Sequence, residues 1–409
     1  MAAPLNLLFD GNNFFYKTLF SMNTQSSGTL LDDKSEQDIL LYKLVQDFAF
    51  LVRIFETKPK RIIMTVDSYS WRKELISSGE DKDGNNMEYK GHREQSSTVN
   101  WDNFYKVVDI FNDIIKTKHN VIVQRDNGME CDDLIYIWSE KLFNNGENVI
   151  IMSADADLNQ LINFSDKRKN FVIQFVPASN QRKFIYNKEF LMEHTESETS
   201  LDDLLENIEE STIFDFNLKV DVNRKFNNVL KRKMNEFKNR TVDPHISLLT
   251  KILTGDAGDN VAPVVGFRTT LSNGKTRAVN LTELDALKII ESMKAGEPNF
   301  DLFKIGDYAQ YVMNLVSTKK RYSAYKENGF TLEKIKENLE RNLKLVTLHE
   351  DIIPSEYLQT SINNIDKKYY NQFFKGDIPS FNKHTILKGT PYETGTAAKT
   401  AIKSDFFNF

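Results

Sequence analysis

The chain has one cysteine, Cys131, in 409 residues, so no intramolecular disulfide can form. A single thiol suits a reducing compartment. No apolar run approaches the ~18 residues of a membrane-spanning helix. The Met-Ala-Ala-Pro start lacks the basic-then-apolar pattern of a secretory leader. The expectation is a cytoplasmic chain with no membrane partner. Histidine is scarce: the six residues, among them His92, His245 and His384, are scattered without zinc-ligand spacing. No internal repeat is present. Net positive charge is lacking as well, since the formal charge is −5. That argues against a surface coated in basic patches, unless the acids are gathered in one site where bound cations offset them.

Carboxylates are present in a telling place, where apolar runs stop. The run Leu5 to Phe9 ends at Asp10, and the run Arg61 to Val66 ends at Asp67. Val121 to Val123 leads into Glu130-Cys131-Asp132-Asp133, and Val149 to Met152 leads into Ser153-Ala154-Asp155-Ala156-Asp157. A further cluster, Gly255-Asp256-Ala257-Gly258-Asp259-Asn260, also follows an apolar stretch. Single Asp pairs are weak signals because Asp favours helix caps and turns. Asp32-Asp33 and Asp202-Asp203, with no strand before them, are read as surface. The clusters gain meaning jointly. Acids at several strand ends of a parallel sheet point into one crevice beyond those ends. Hard oxygen ligands of this kind suit Mg²⁺ or Mn²⁺. Two such ions ~3.5–4 Å apart would serve phosphodiester hydrolysis.

The pattern predicts an α/β fold: a parallel β-sheet flanked by helices over residues 1–190. Strands are expected near 5–10, 61–67, 120–125, 148–153 and 171–176. Helices are expected near 36–56, 102–117, 131–142 and 157–163. Residues 77–100 form a long polar stretch, which the spacing predicts as a loop or lid. Residues 191–244 read as a charged insertion, acidic then basic, with a helical cationic face. Residues 245–388 read as mostly helical. Residues 389–409 read as a linker and an aromatic tail.

These motifs, in this order, resemble the 5′ nuclease superfamily: flap endonucleases, the 5′-nuclease domains of bacterial DNA polymerase I and phage 5′ exonucleases, closest to the phage ribonuclease H branch. The resemblance covers roughly residues 1–190 and 245–375. It implies a PIN-like 5′ nuclease fold with a helix–turn–helix DNA-binding element and a helical C-terminal region. It implies that Asp10, Asp67, Glu130, Asp132 and Asp155 hold a first Mg²⁺. Asp157, Asp256 and Asp259 would hold or orient a second, with Asp133 serving either; Mn²⁺ would substitute. Residues 77–100 would be the arch over the 5′ end. Tyr89-Lys90-Gly91-His92-Arg93 resembles the family's Tyr-Lys-x-x-Arg segment, which makes Lys90 and Arg93 the catalytic cations and Tyr89 a base-stacking residue. Trp71 and Arg72 read as structural or phosphate-facing, and Arg72 is counted with the DNA contacts. Where the family carries a Gly-x-Gly-x-Lys-Thr segment, this chain reads Val264-Val265-Gly266-Phe267-Arg268-Thr269-Thr270-Leu271-Ser272-Asn273-Gly274-Lys275, and the resemblance implies a K⁺ site at this helix–turn–helix. Arg268, Lys275 and Arg277 remain the expected phosphate contacts.

In the tail, Ile402, Phe406, Phe407 and Phe409 resemble the short peptides by which replication enzymes dock on a sliding clamp. The expectation is a monomeric Mg²⁺-dependent 5′→3′ exonuclease and flap endonuclease with ribonuclease H activity, of phage origin. Its substrates would be DNA with a 5′ end or flap and RNA–DNA hybrids, and a single-strand binding protein is a further expected partner. One alternative is a PIN-like ribonuclease, against which the Gly-Asp-x-x-Asp-Asn cluster and the helical C-terminal part argue. Another is a non-catalytic, structure-specific DNA-binding protein docked on a clamp. A pure binder would have no reason to hold so many acids near phosphates.

Overall fold

The computed structural model describes residues 3–22, 29–75, 89–91, 96–177, 182–194, 238–270, 275–297 and 299–393. The chain divides into two compact units, one of residues 1–69, 95–242 and 353–409, the other of residues 70–94 and 243–352. Among the described residues no helix is long and apolar enough to cross a membrane.

The first unit is built on a sheet whose central strands are β1 (Leu5–Asp10), β2 (Arg61–Thr65), β3 (Ile122–Gln124) and β4 (Asn148–Met152). Apart from the partly buried Leu5 and Val123, their Val, Ile, Leu and Phe side chains are buried on both faces, as expected of strands covered by helices on either side. Two-residue β5 (Asn163–Phe164), β6 (Phe171–Val176), β7 (Lys183–Tyr186) and β8 (Lys238–Thr241) complete it, in the order β3-β2-β1-β4-β6-β7-β8 with β5 beside β6. From β3 to β6 the pairing is parallel, while β7 and β5 run antiparallel to β6. The five expected strands pair in parallel, and the unexpected β5 and β7 make the sheet mixed at one side. Residues 177–182 are too few for a parallel crossover, which needs a dozen or more.

Four helices cover the strands: α1 (Gly11–Phe20), α2 (Lys34–Arg53), α3 (Trp101–His119) and α4 (Cys131–Asn144). A short α5 (Lys188–His194) follows β7. Phe9, Phe14, Phe48 and Phe111 pack edge-on or tilted in the core between β1 and these helices. Helix α1 was not expected, because it starts at once after β1. Gly11 allows it: a Cβ there would lie 2.1 Å from the carbonyl oxygen of Thr65.

The second unit is helical around a small hairpin. It contains α6 (Pro244–Thr254), the antiparallel pair β9 (Gly266–Thr270) and β10 (Thr276–Asn280), α7 (Glu283–Gly296), α8 (Ala309–Thr318) and α9 (Leu332–Val346). Ile252, Val264, Val265, Val312, Val316 and Ile335 are fully buried in its core. Asp243 caps α6 through the amides of His245 and Ile246, and Pro at the first turn costs no hydrogen bond there.

The chain then returns to the first unit through α10 (Ser355–Asn371) and α11 (Lys383–Leu387). This differs from the expected 245–388 block. The anchor is a buried charge network. Arg61 donates to the carbonyl of Tyr369 at 2.6 and 3.1 Å and pairs with Glu147 at 2.8 Å. Asn6, Lys60 and the Tyr369 hydroxyl also donate to Glu147. Burial opposes ionisation of Glu147, yet these donors hold its carboxyl below the usual range. Removing one partner of such a buried pair costs about 3–5 kcal/mol, so the last helices are tightly held.

Candidate metal centre

Parallel pairing brings the carboxyl ends of β1, β2, β3 and β4 to one edge of the sheet. Asp10 is the last residue of β1, in register with Thr65. Its Oδ1 accepts the amide of Asn13 at 3.0 Å, which caps α1, and its Oδ2 accepts the Ser153 hydroxyl at 2.8 Å. Ser153 Oγ also accepts the amide of Asp155 at 3.0 Å, and Asp155 Oδ1 accepts that of Asp157 at 2.9 Å. Ser153-x-Asp155-x-Asp157 is thus a self-bonded turn leading into a short 3₁₀ helix. Gln174 of β6, buried, donates to the carbonyls of Ser153 and Asp155 at 3.0 and 2.7 Å and holds the turn from behind.

Asp67 lies just past β2. Its Oδ1 accepts the amide of Cys131 at 2.6 Å, at the first residue of α4, and Asn12 donates to its Oδ2. Glu130 and Asp133 form a capping box at the start of α4. Asp133 is fully buried, and its carboxylate takes the amide of Glu130 at 3.4 Å. Here it serves the helix start. Asp132, the next residue along, faces the Ser153 turn: one oxygen each from Asp132, Asp155 and Asp157 come within 4.8 Å of one another.

The electrostatics explain what this cluster needs. Burial, with further contributions from Asp155 and Asp67, pushes Asp10 up to about 7. Hydrogen bonds from Asn13 and Ser153 only partly offset it. An all-carboxylate donor set at this spacing fits a hard divalent cation. The same burial and nearby acids push the Cys131 thiol well up, so it is an inert packing group.

The second unit treats its acids differently. Asp256 caps the 3₁₀ turn Ala257–Asp259 and pairs with Lys251 at 2.7 Å. Burial opposes its ionisation, but the Lys251 ammonium and the turn amides hold its carboxyl below the usual range. Asp259 accepts the Tyr89 hydroxyl at 3.0 Å, lies 3.6 Å from the Lys90 ammonium, and offers its carbonyl to the amide of Lys90 at 2.9 Å. The Tyr89-Lys90 segment is therefore pinned to the Asp256–Asn260 turn.

Several expected contacts are placed away from the surface. The Tyr89 ring, 2% exposed, is in the core of its unit and has no open face for stacking on a base. Arg72, 1% exposed, lies over the Trp71 ring at 4.5 Å and donates to the carbonyl of Thr347, so packing replaces the expected phosphate contact. Arg268, Lys275 and Arg277 are exposed. Register places Arg268 opposite Ala278 and Arg277 opposite Thr269, so the two arginines sit on opposite faces of the hairpin. Arg93, most of the 77–100 arch, residues 195–237 and the tail with Ile402, Phe406, Phe407 and Phe409 lie outside the described residues. No local pattern marks Asn12 or Gln174, whose roles depend on partners 55 and 19–21 positions away.

Residues 5–196 match the family of the 5′-3′ exonuclease N-terminal resolvase-like domain. No curated protein matches the chain. Among solved structures, the chain is similar to the phage T5 5′-exonuclease with bound zinc: 16% identity, 89% of this chain and 98% of that chain covered, TM-score 0.48. It is also similar to the bacteriophage T5 flap endonuclease in a pseudo-enzyme-product complex with DNA and metal ions: 14% identity, 90% and 100% covered, TM-score 0.45.

Proposed function

We propose a reaction for this chain, whose residues 5–196 match the 5′-3′ exonuclease N-terminal resolvase-like domain: Mg²⁺-dependent hydrolysis of phosphodiester bonds from the 5′ side of DNA ends and flaps, and of the RNA in RNA–DNA hybrids. The observation that carries it is the convergence of Asp132, Asp155 and Asp157 at the carboxyl edge of the sheet, beside a buried Asp10. When bound, divalent ions supply charge stabilisation at the phosphate and a more acidic water. The protein's own residues do the rest. Asp10, Asp67, Glu130, Asp132 and Asp155 would hold the first ion. Asp157, Asp256 and Asp259 would hold or orient the second. Ser153, Asn12 and Asn13 fix the carboxylates so that little reorganisation is needed. Lys90, with Arg93, stabilises charge building on the scissile phosphate. The exposed Arg268, Lys275 and Arg277 grip duplex backbone, which positions the substrate without reading sequence.

The biological role in this reading is removal of RNA primers and 5′ flaps during replication, with the C-terminal aromatic tail docking on a sliding clamp. A K⁺ ion at the turn after Asp256 and a single-strand binding protein as a further partner rest on the family resemblance alone. The test uses a 5′-flap duplex and an RNA-primed duplex, each labelled at both ends. We expect products released from the 5′ side in Mg²⁺, and none in EDTA or with Asp132→Asn. Tight binding without cleavage in Mg²⁺ and Mn²⁺ would instead identify a binding protein, and cleavage of free single-stranded RNA alone would identify a PIN-like ribonuclease.

A further inference from the structure

The loop between β3 and α4 leads into Glu130 and Asp132 at the start of α4, and it is held from two sides. On one side it meets the segment carrying Asp67. The amide of Val66 donates to the carbonyl of Gln124 at 2.9 Å, that of Ser68 to Met129 at 3.0 Å, and that of Cys131 to the Asp67 carboxylate. On the other side it meets α10. Asn364 Nδ2 donates to Asp126 Oδ1 at 3.0 Å, across 238 positions of sequence. Lys368 donates to the carbonyl of Val123 at 3.1 Å and to Gln124 Oε1 at 2.6 Å. Gln124 Nε2 in turn takes the other Asp126 oxygen. The Tyr357 ring closes against Gly128, where a Cβ would lie 2.4 Å from a ring carbon and φ is +81°. Asp126 is thus a buried carboxylate of the loop committed to α10, and its own carbonyl accepts the amide of Met129 at 3.2 Å.

We propose that α10 is a positioning element for the metal centre, acting through Asn364 and Asp126 on the loop that leads into Glu130 and Asp132. The inference rests on the metal reading above for its consequence. It adds that residues outside the segment 5–196 shared with the family set the metal affinity of residues inside it. Residues supporting metal ligands from behind typically contribute about 10–100-fold in metal affinity or activity. Asn364 is one step further out, so an effect near tenfold is expected.

The experiment exchanges the partners. Asn364→Asp sets two carboxylates against each other. Adding Asp126→Asn restores one donor and one acceptor with the polarity reversed, and leaves an oxygen for Gln124. Asn363→Asp, exposed on the same helix, adds the same charge as a control. Two readouts are taken on the full chain without DNA: amide hydrogen exchange over residues 124–131 in metal-free protein, and calorimetric titration with Mn²⁺. The expected result is faster exchange and about tenfold weaker Mn²⁺ binding in Asn364→Asp, both restored in the double variant and both unchanged in Asn363→Asp. A folded Asn364→Asp with unchanged exchange and affinity overturns the proposal, as does a double variant that is not restored. If Asn364→Asp fails to fold, Asn364→Ala removes the donor without adding charge and is judged on the same two readouts. If the wild type binds no Mn²⁺, the metal reading itself falls. Exchange then decides the brace alone: faster in Asn364→Asp and restored by the exchange supports it, and no change overturns it.

Discussion

The turn at Ser153–Asp157 and the turn at Asp256–Asn260 have nearly the same composition, yet their acids live under opposite electrostatics. In the first, acids sit beside acids: Asp132, Asp155 and Asp157 converge, and burial with nearby carboxylates pushes Asp10 up to about 7. In the second, each acid has a cation from its own unit: Lys251 for Asp256 and Lys90 for Asp259. The same residue type therefore meets different local charge, which depends on what the fold packs around each motif.

The sharpest way to break this contrast is to remove a carboxylate from the first cluster. Asp132→Asn should lower cleavage about 10³-fold, because metal stabilisation is worth several kcal/mol and each 1.36 kcal/mol is a factor of ten. Single-turnover kinetics on a 5′-flap duplex would read it, and a variant within tenfold of wild type would remove Asp132 from the site. Next is Ser153→Ala, which deletes both the bond to Asp10 and the acceptor for the Asp155 amide. We expect about 10–100-fold weaker Mn²⁺ binding with the fold intact; equal affinity would make Ser153 merely structural.

The two regions should also respond oppositely to pH. Asp10 has a raised pKa in the folded state, so the native protein binds its proton more tightly than the unfolded chain does. Metal-free protein should therefore lose stability as pH rises from about 4 to about 7, by a few degrees in Tm. Asp10→Asn should remove that part of the slope, and divalent ion should flatten it. Asp47 is also raised to about 7, chiefly by burial, and forms a background that metal does not change. Calorimetric melting with and without Mg²⁺ decides this; a slope that neither Asp10→Asn nor Mg²⁺ reduces would contradict it. For Asp256 the sign reverses. Its depressed pKa gives stability present above the ordinary 3.8 and lost as pH falls through the folded value. Lys251→Met should raise the Asp256 pKa, seen by carboxyl NMR titration, at a cost of at most about 1 kcal/mol for a partly exposed pair.

Much of the first unit was legible because its signals are local. Apolar runs place β1, β2, β4 and β6 within a residue or two, and amphipathic spacing places α2, α3 and α4 within three. The acids at their ends follow from strand ends alone. What was not legible depends on partners distant in sequence. The short β7 and β8 owe their existence to pairing, and β7 turned antiparallel because its connection is short. Tyr89 was expected to face a base and Arg72 was read as structural or phosphate-facing; Asp259 and Trp71 supply the partners with which they are buried. The return of the chain to the sheet after residue 352 depends on Arg61 and Glu147, which meet Tyr369 from about 200–300 positions away.

The central claim is that the Ser153–Asp157 turn, Asp132 and Asp10 form a divalent-cation site. Titration of the full chain with Mn²⁺ in the absence of DNA, wild type against Asp155→Asn, tests it most directly. Saturable binding is expected in the wild type, with loss of at least one site in the folded variant. Binding that is absent from the wild type, or identical in the two proteins, would contradict it.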